Sequence, residues 1–315
     1  MAAGMLAAPT LPRLAQALDY PTRPVKLVLG FTPGGPADIV ARLVSQRLGE
    51  RLGQPFVIEN RPGGGTTIAT EYVVRAAPDG YTLLWATSSF AINASLYDKL
   101  NYDFIRDIAP VANVDFLPLV VEVNPALPVK TIPELIAYVK ANPGKINFAT
   151  GGIGSSQHVA GELFNFMTGS DLVHVPYRGS SLAINDLLAG QVQMTFSPIP
   201  LSMGYIRAGQ LRALAVTSAQ RIPALPNVPT VAEFVPGYVA VASDGIGAPA
   251  NTPADIIDKL YGTVAAVLAE PAIKARLEDL GGVVAPMAPA EFKKFIAAET
   301  VKWGRVIKFA NIKAE

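Results

Sequence analysis

Residues 27–65 read LVLGFTPGGPADIVARLVSQRLGERLGQPFVIENRPGGG. The apolar run 27–31 has the length and composition of a buried strand. It meets Pro33, Gly34 and Gly35, and a helical pattern begins at once. Ile39, Leu43, Val44 and Leu48 are expected on one stripe of that helix, which ends near Gly53. A second strand at 55–60 and a second glycine run at 63–65 follow. Strand, glycine loop and helix together expose free backbone N–H groups at the positive end of a helix dipole, where an anion is favoured.

The same alternation continues along the chain, the pattern of an α/β protein with mainly parallel sheets. Strands are expected at 25–31, 55–60, 81–89, 117–125, 211–218 and 239–249, while 146–169 reads as strand, Gly-Ser loop and helix, and 172–198 as strand, Gly-Ser loop, helix and strand. Between 131 and 145, Thr131 is placed to cap a helix, Pro133 lies in its first turn, and Gly144 follows its end. The tail from 253 to 309 is helical with one extended interruption near Val283. Four loop-to-helix junctions, at 33–38, 62–67, 150–156 and 176–181, carry glycines, hydroxyls or both. Ordinary helix capping accounts for any one of them. In a parallel α/β sheet, however, such loops gather at the carboxyl ends of the strands, where ligands sit.

With 315 residues, two domains are expected. Half the residues are apolar, 16% are charged and the net charge is +1, which argues against a nucleic-acid surface. Lys293, Lys294, Lys302, Arg305 and Lys308 fall at helical spacings and read as a solvated face. There is no cysteine, so disulfides and thiolate chemistry are excluded. The small, apolar start carries Ala15-Gln16-Ala17 ahead of a proline-rich segment, as at the end of a secretory signal. The mature chain is expected to begin close to Leu18 or Tyr20. No later stretch holds 18 consecutive apolar residues.

Catalytic motifs are missing. The glycine loops match neither G-x-x-x-x-G-K-[ST] nor G-x-G-x-x-G, and no G-x-S-x-G elbow occurs. The two histidines, His158 and His174, sit in apolar patterns and are expected to be packed or capping imidazoles. A catalytic residue, a metal site and a cofactor are therefore not expected, and the donors present are those of a binder. The competing possibility is a cytoplasmic α/β transferase acting on anionic small molecules through the same loops.

The segments FTPGGPADIVARLV, VIENRPGGGTTIATEYVVRAAPDGYTLL, ASLYDKLNYDFIRDIAPVA, HVPYRGSSLAINDLLAGQVQMTF and LPNVPTVAEFVPGY, the last followed by GIGAPANTP, occur in one order. In this the chain resembles the Bug-type solute receptors, the extracytoplasmic substrate-binding proteins of tripartite tricarboxylate transporters. The resemblance runs from about Tyr20 to the C-terminus. It implies a type II periplasmic-binding-protein fold in two lobes, each a mainly parallel sheet flanked by helices. A small carboxylate (dicarboxylate, tricarboxylate, amino acid or aromatic acid) would be trapped between the lobes and delivered to a membrane permease by a monomeric periplasmic receptor.

By the same resemblance, residues 1–19 are a signal remnant, 20–122 plus 242–315 form the first lobe, and 123–241 form the second. The chain would cross between lobes near 121–124 and 239–242. Ligand contacts are implied for the loop after the first strand (Phe31, Pro33, Gly34, Gly35, Asp38) and for Thr87, Ser88 and Ser89. The facing lobe would add Gly152, Ser155 and Ser156, and Tyr177, Arg178 and Gly179. Gly35 is expected to need a positive φ. Ser243 and Asp244 stand where the family usually has bulky aromatics, and Ser197 where an Asp is common. Asp244 could accept a hydrogen bond from the ligand, pair with Arg178, or cap a turn through Gly245 or Ile246.

Overall fold

The computed structural model describes residues 19–314; the expected signal cleavage falls at the edge of, or outside, these residues. The chain opens with β1 (Val25–Leu29), α1 (Pro36–Leu52), β2 (Phe56–Asn60), α2 (Thr67–Val74), β3 (Thr82–Thr87), α3 (Ser89–Leu96) and the short α4 (Phe104–Asp107). It then enters β4 (Ile108–Val123), a strand of 16 residues. Next come α5 (Ile132–Ala141), β5 (Ile146–Thr150), α6 (Ser156–Thr168), β6 (Leu172–Pro176), α7 (Ser180–Leu188), β7 (Met194–Pro198), α8 (Ile199–Arg207) and β8 (Arg212–Val216). The chain returns through β9 (Val241–Pro249), α9 (Ala254–Leu268), α10 (Pro271–Asp279), β10 (Val283–Met287) and α11 (Pro289–Phe309). Among the described residues no helix is long and apolar enough to cross a membrane.

The strand order is β2-β1-β3-β9-β4-β7-β5-β6, with β8 and β10 also paired to β4. Outer strands are parallel: β1 with β2 and β3, β5 with β6 and β7. Every contact of β4 and β9 with a neighbour is antiparallel. The sheets are therefore mixed, because the two strands that join the halves run against the βαβ units on either side.

Residues 108–118 of β4 pair with β9, and 119–123 pair with β7 and β8. On the return, Ala240 N–H still donates to Thr217 O, whereas Val241 pairs with Pro118. The sequence marks only 117–125 of β4 as a strand. Pro110 and the polar Asn113 and Asp115 disguise the earlier part, where register shifts at 110/112 and 113/115 bend the strand. Two helices, α3 and α8, are also hidden in the sequence, since each leaves its strand without a glycine loop.

Helix α1 shows how local chemistry sets an element. Pro36 starts it, and Gly53 ends it at φ 74 with its N–H on Gly49 O. Its buried stripe is Val40, Ala41, Val44 and Leu48; Ile39 is exposed, one position off the expected stripe. That stripe packs with Leu260, Val264 and Val267 of α9 over Val25, Leu27 and Leu29. On the other face, Phe292, Ile296 and Trp303 of α11 belong to an apolar cluster that continues into the second lobe through Phe148 and Phe164. Lys302 of α11 is partly buried and donates to Val239 O (3.1 Å) while pairing with Glu299, unlike the exposed Lys293, Lys294, Arg305 and Lys308.

One buried acid sits in the second half of β4. Glu122 has Ser202 Oγ 2.6 Å from its Oε1, and its Oε2 has no partner. Ser197, expected at the ligand, is spent here instead, with its hydroxyl 2.6 Å from Ser202 Oγ. Burial pushes the Glu122 carboxyl up to about 7, against the smaller opposing effect of the two serines. The folded chain thus holds this proton more tightly than the unfolded chain. The stabilisation is fully present below the ordinary value of 4.5 and is lost as pH rises through about 7. Urea unfolding should show stability falling between pH 5 and 8. Glu122→Gln should make that decline shallower, by on the order of 1–3 kcal/mol; an unchanged slope would contradict the assignment.

Candidate functional site

Between the lobes lies a cleft of about 530 Å³, walled by loops from both halves. The larger hollow, beside Ser95 and Lys308 near the C-terminus, gathers no loop-to-helix junctions. Three helix N-termini open into the 530 Å³ cleft: α1 through Gly35, Pro36 and Ala37, α3 through Ser88 and Ser89, and α6 through Ser155 and Ser156. Their unpaired N–H groups and dipoles make this a site for negative charge. No Lys, Arg or His side chain is among the lining residues.

The wall from the first lobe is a chain of hydroxyls. Ser89 Oγ lies 2.7 Å from both Thr66 Oγ1 and Thr87 Oγ1. Thr66 sits at φ 83, a left-handed conformation costly for a β-branched residue. Asn93 donates to Gly65 O (2.7 Å) and so fixes the glycine run beside it. Ser88 turns the other way, accepting the Ser243 backbone N–H at 2.7 Å, and ties β3 to β9.

The loop before α1 is held by an ion pair. Asp38, almost fully buried, accepts from Gly34 N–H (2.9 Å), twice from Arg42 (2.8 and 3.0 Å) and from Asn60 (2.9 Å). Arg42 chiefly, then Gly34 and Asn60, hold its carboxyl down at about 2. The positive φ of this loop falls at Gly34 (83°), not at Gly35, which is extended at φ −75. The expectation for Gly35 is corrected accordingly: the turn is completed one residue earlier.

In the second lobe, Ser155 caps α6 by accepting the His158 N–H, and His158 Nδ1 accepts the Gly154 N–H at 3.1 Å. His158 and His174 stack at 3.6 Å, and His174 Nε2 lies 2.7 Å from Thr150 Oγ1. Burial lowers both rings, to about 3 and about 4, so they are neutral supports of the 150–156 loop. The junction at 176–181 does not reach the lining. It braces the loop that does: Gly179 N–H donates to Gly151 O, and Ser180 Oγ and Gly151 N–H share Gln157 Oε1.

The cleft thus brings together Phe31, Gly35, Thr87, Ser88, Ser89, Gly152, Ser155, Ser156, Ser243 and Asp244. Pro33, Gly34, Asp38, Tyr177, Arg178, Gly179 and Ser197 lie off its lining. Tyr177 donates to Asp186 (2.7 Å), and Arg178 is exposed. Residues not singled out from the sequence include Gly65, Thr66, Asn93, Tyr97, Leu117 and Ile153. The glycine run at 62–67 was the signal for Gly65 and Thr66, and the junction at 150–156 for Ile153; Asn93 and Tyr97 come from α3 and its end, and Leu117 from β4, elements that the sequence hides wholly or in part.

Asp244 neither caps a turn nor meets Arg178. It lies within β9 opposite Thr87 on one side and Asp115 on the other. Both carboxyls are buried, at 2% and 0% exposure, and Asp244 Oδ2 and both Asp115 oxygens have no hydrogen-bond partner. Burial raises both, Asp244 to about 7, and for Asp115 the neighbouring Asp244 adds to the effect. The Trp85 indole favours the ionised form of Asp244 slightly, although it does not reach hydrogen-bond geometry.

Two α/β lobes with a loop-lined cleft between them have the architecture of a periplasmic solute receptor. Residues 40–312 match the tripartite tricarboxylate transporter family receptor, and the chain belongs to that family. It is 37% identical over 297 residues to protein BugT of Bordetella pertussis, covering 93% of this chain and 91% of the relative. A solved structure of Rpa4515 from R. palustris with adipate is 38% identical, with TM-score 0.81 over 94% of this chain and 99% of that one. Periplasmic binding protein BugD is 34% identical, with TM-score 0.77 over 94% and 100%. These are solute-binding proteins, and the transferase alternative finds no support among them.

The two adjacent serines should separate by experiment. Ser88→Ala strands the buried Ser243 N–H and should cost about 1–3 kcal/mol in urea unfolding. Ser89→Ala, whose hydroxyl faces the cleft, should cost less than about 1 kcal/mol. Equal losses would show that the division between structural and cleft-facing hydroxyls is wrong.

Proposed function

We propose that this chain is a periplasmic receptor that captures a small carboxylate between its lobes and presents it to the membrane permease of a tripartite transporter. The observation that carries this is the convergence of three helix N-termini on a cleft lined without a single cation. Backbone donors and dipoles then supply the binding of negative charge that arginine supplies elsewhere. Gly35, Thr87, Ser89, Gly152, Ser155 and Ser156 are the proposed contacts, with Phe31, Ile153 and Leu96 packing the ligand's carbon chain. The adipate in the related structure from R. palustris supports a dicarboxylate of a few carbons. A cleft of about 530 Å³ is ample for such a ligand. Membership of the family supports export, and the working form is taken to be a monomer.

The lobes proposed are 20–122 plus 242–315 and 123–241, closing about the segments where β4 and the return strand pass between them. A ligand held by both lobes favours the closed arrangement by its differential affinity. Small-angle scattering should report a smaller radius of gyration with a saturating ligand, and superimposable curves would refute the two-lobe trap.

A thermal-shift panel of mono-, di- and tricarboxylates tests the ligand class; a binder at 100 times its Kd stabilises by about 2.7 kcal/mol. Gly35 supplies the sharper variant. A Cβ there would meet only Thr32 O, at 3.7 Å, and the extended φ suits any residue. Gly35→Val should therefore leave the unliganded melting temperature within about 2 °C while weakening the best carboxylate about tenfold or more. Unchanged affinity would remove the α1 loop from the site.

A further inference from the structure

Asp244 is the single charged side chain of the cleft lining, and its surroundings decide how it meets a ligand. Behind it, across the β4–β9 pairing, stands Asp115, the titratable side chain that faces it. From β3 come Trp85 and Thr87, and the backbone of Gly282 covers Asp115 so closely that a Cβ there would lie 2.7 Å from Asp115 Oδ2. On α1, Asp38 and Arg42 are spent on each other. The charged residues Lys274, Arg276, Glu278 and Asp279 of α10, and Asp255 and Asp258 of α9, are exposed. Among the described residues no ion pair joins Asp115 or Asp244 to a Lys, Arg or His, and no cation is among the causes that shift them. Two buried, unpartnered carboxyls this close must hold at least one proton between them.

An ammonium group on the ligand would satisfy Asp244 but would sit among the positive ends of α1, α3 and α6. A carboxylate suits those helix ends and needs Asp244 uncharged. We propose that Asp244 is a specificity-determining residue that meets the ligand as a carboxylic acid, donating a hydrogen bond to a ligand carboxylate, so that capture is coupled to uptake of one proton. Near pH 8 the empty site has one proton on the Asp115–Asp244 pair. The arriving carboxylate drives a second proton from solvent onto Asp244, and no other bond forms or breaks. Below about pH 6 the pair is already neutral, and binding takes up nothing. This inference rests on the carboxylate assignment above and adds to it the group that reads the ligand.

Isothermal titration of the whole chain tests this, with adipate first and then succinate and malate as probes, at pH 8 in phosphate and in Tris. Their different ionisation heats reveal the protons exchanged. Close to one proton taken up is expected, with affinity flat below about pH 6 and falling by up to about tenfold per pH unit above 7. Asp244→Asn keeps an N–H donor but cannot ionise, so its affinity should be flat from pH 6 to 9 and should exceed that of the unaltered chain at pH 9. Binding without proton uptake, or an unchanged pH slope in Asp244→Asn, overturns the proposal and leaves the carboxylate assignment standing. If none of the three probes nor any other carboxylate of the panel binds, both fall. A pair with only a structural role would change the melting temperature in the variant and leave both binding readouts unmoved.

Discussion

The whole molecule hangs on β4. Its 16 residues are long enough to belong to two sheets, pairing with β9 and β10 first and with β7 and β8 afterwards. A strand in the middle of a sheet must have both its edges hydrogen-bonded. Once β4 passes from one half to the other, its neighbours must change with it. The change of partners at Pro118 and Leu119 opens the sheet into a cleft, with Leu117 lining its floor. The return through Ala240 and Val241 follows beside it, steadied from outside by Lys302 on Val239 O.

Around that floor, negative charge is accommodated by geometry rather than by opposite charge. The cation nearest the α1 loop, Arg42, is committed to Asp38, and this ion pair holds Gly34 and Asn60 in place. The histidines of the second lobe are similarly withdrawn: stacked, neutral and fixed on the backbone and hydroxyl of the 150–156 loop. Polar side chains here position the loops whose N–H groups line the cleft. Such donors lose no side-chain entropy on binding, because the fold has already ordered them.

Both halves of β4 also carry buried acids, Asp115 in the first and Glu122 in the second. Among the described residues neither has a basic partner, and each is held nearer its neutral form by desolvation. Proton binding and the strand that joins the lobes are therefore linked within one element. Asp244 shares that property and also borders the cleft.

By itself, the sequence determined what depends on neighbours along the chain. The helix of α1 with Pro36 and Gly53 at its ends, the cap of α5 at Thr131, and the glycine loops at helix starts were legible because caps and turns are local chemistry. The order of family motifs carried the solute-receptor architecture with them. Long-range pairing was not legible: β4 appears as half a strand because Pro110, Asn113 and Asp115 break its pattern, and only its partners make them part of a sheet. The fate of individual polar residues was likewise decided in three dimensions. Asp38 turned to Arg42, Ser197 to Ser202, and Tyr177 to Asp186, while Thr66 and Asn93 came to the cleft. Asp244 found Asp115, 129 positions away in a chain where only β9 lying beside β4 could bring them together. Spacing in a sequence sets which groups can share a turn or a helix face; which buried groups face each other across a sheet is set by the pairing of its strands.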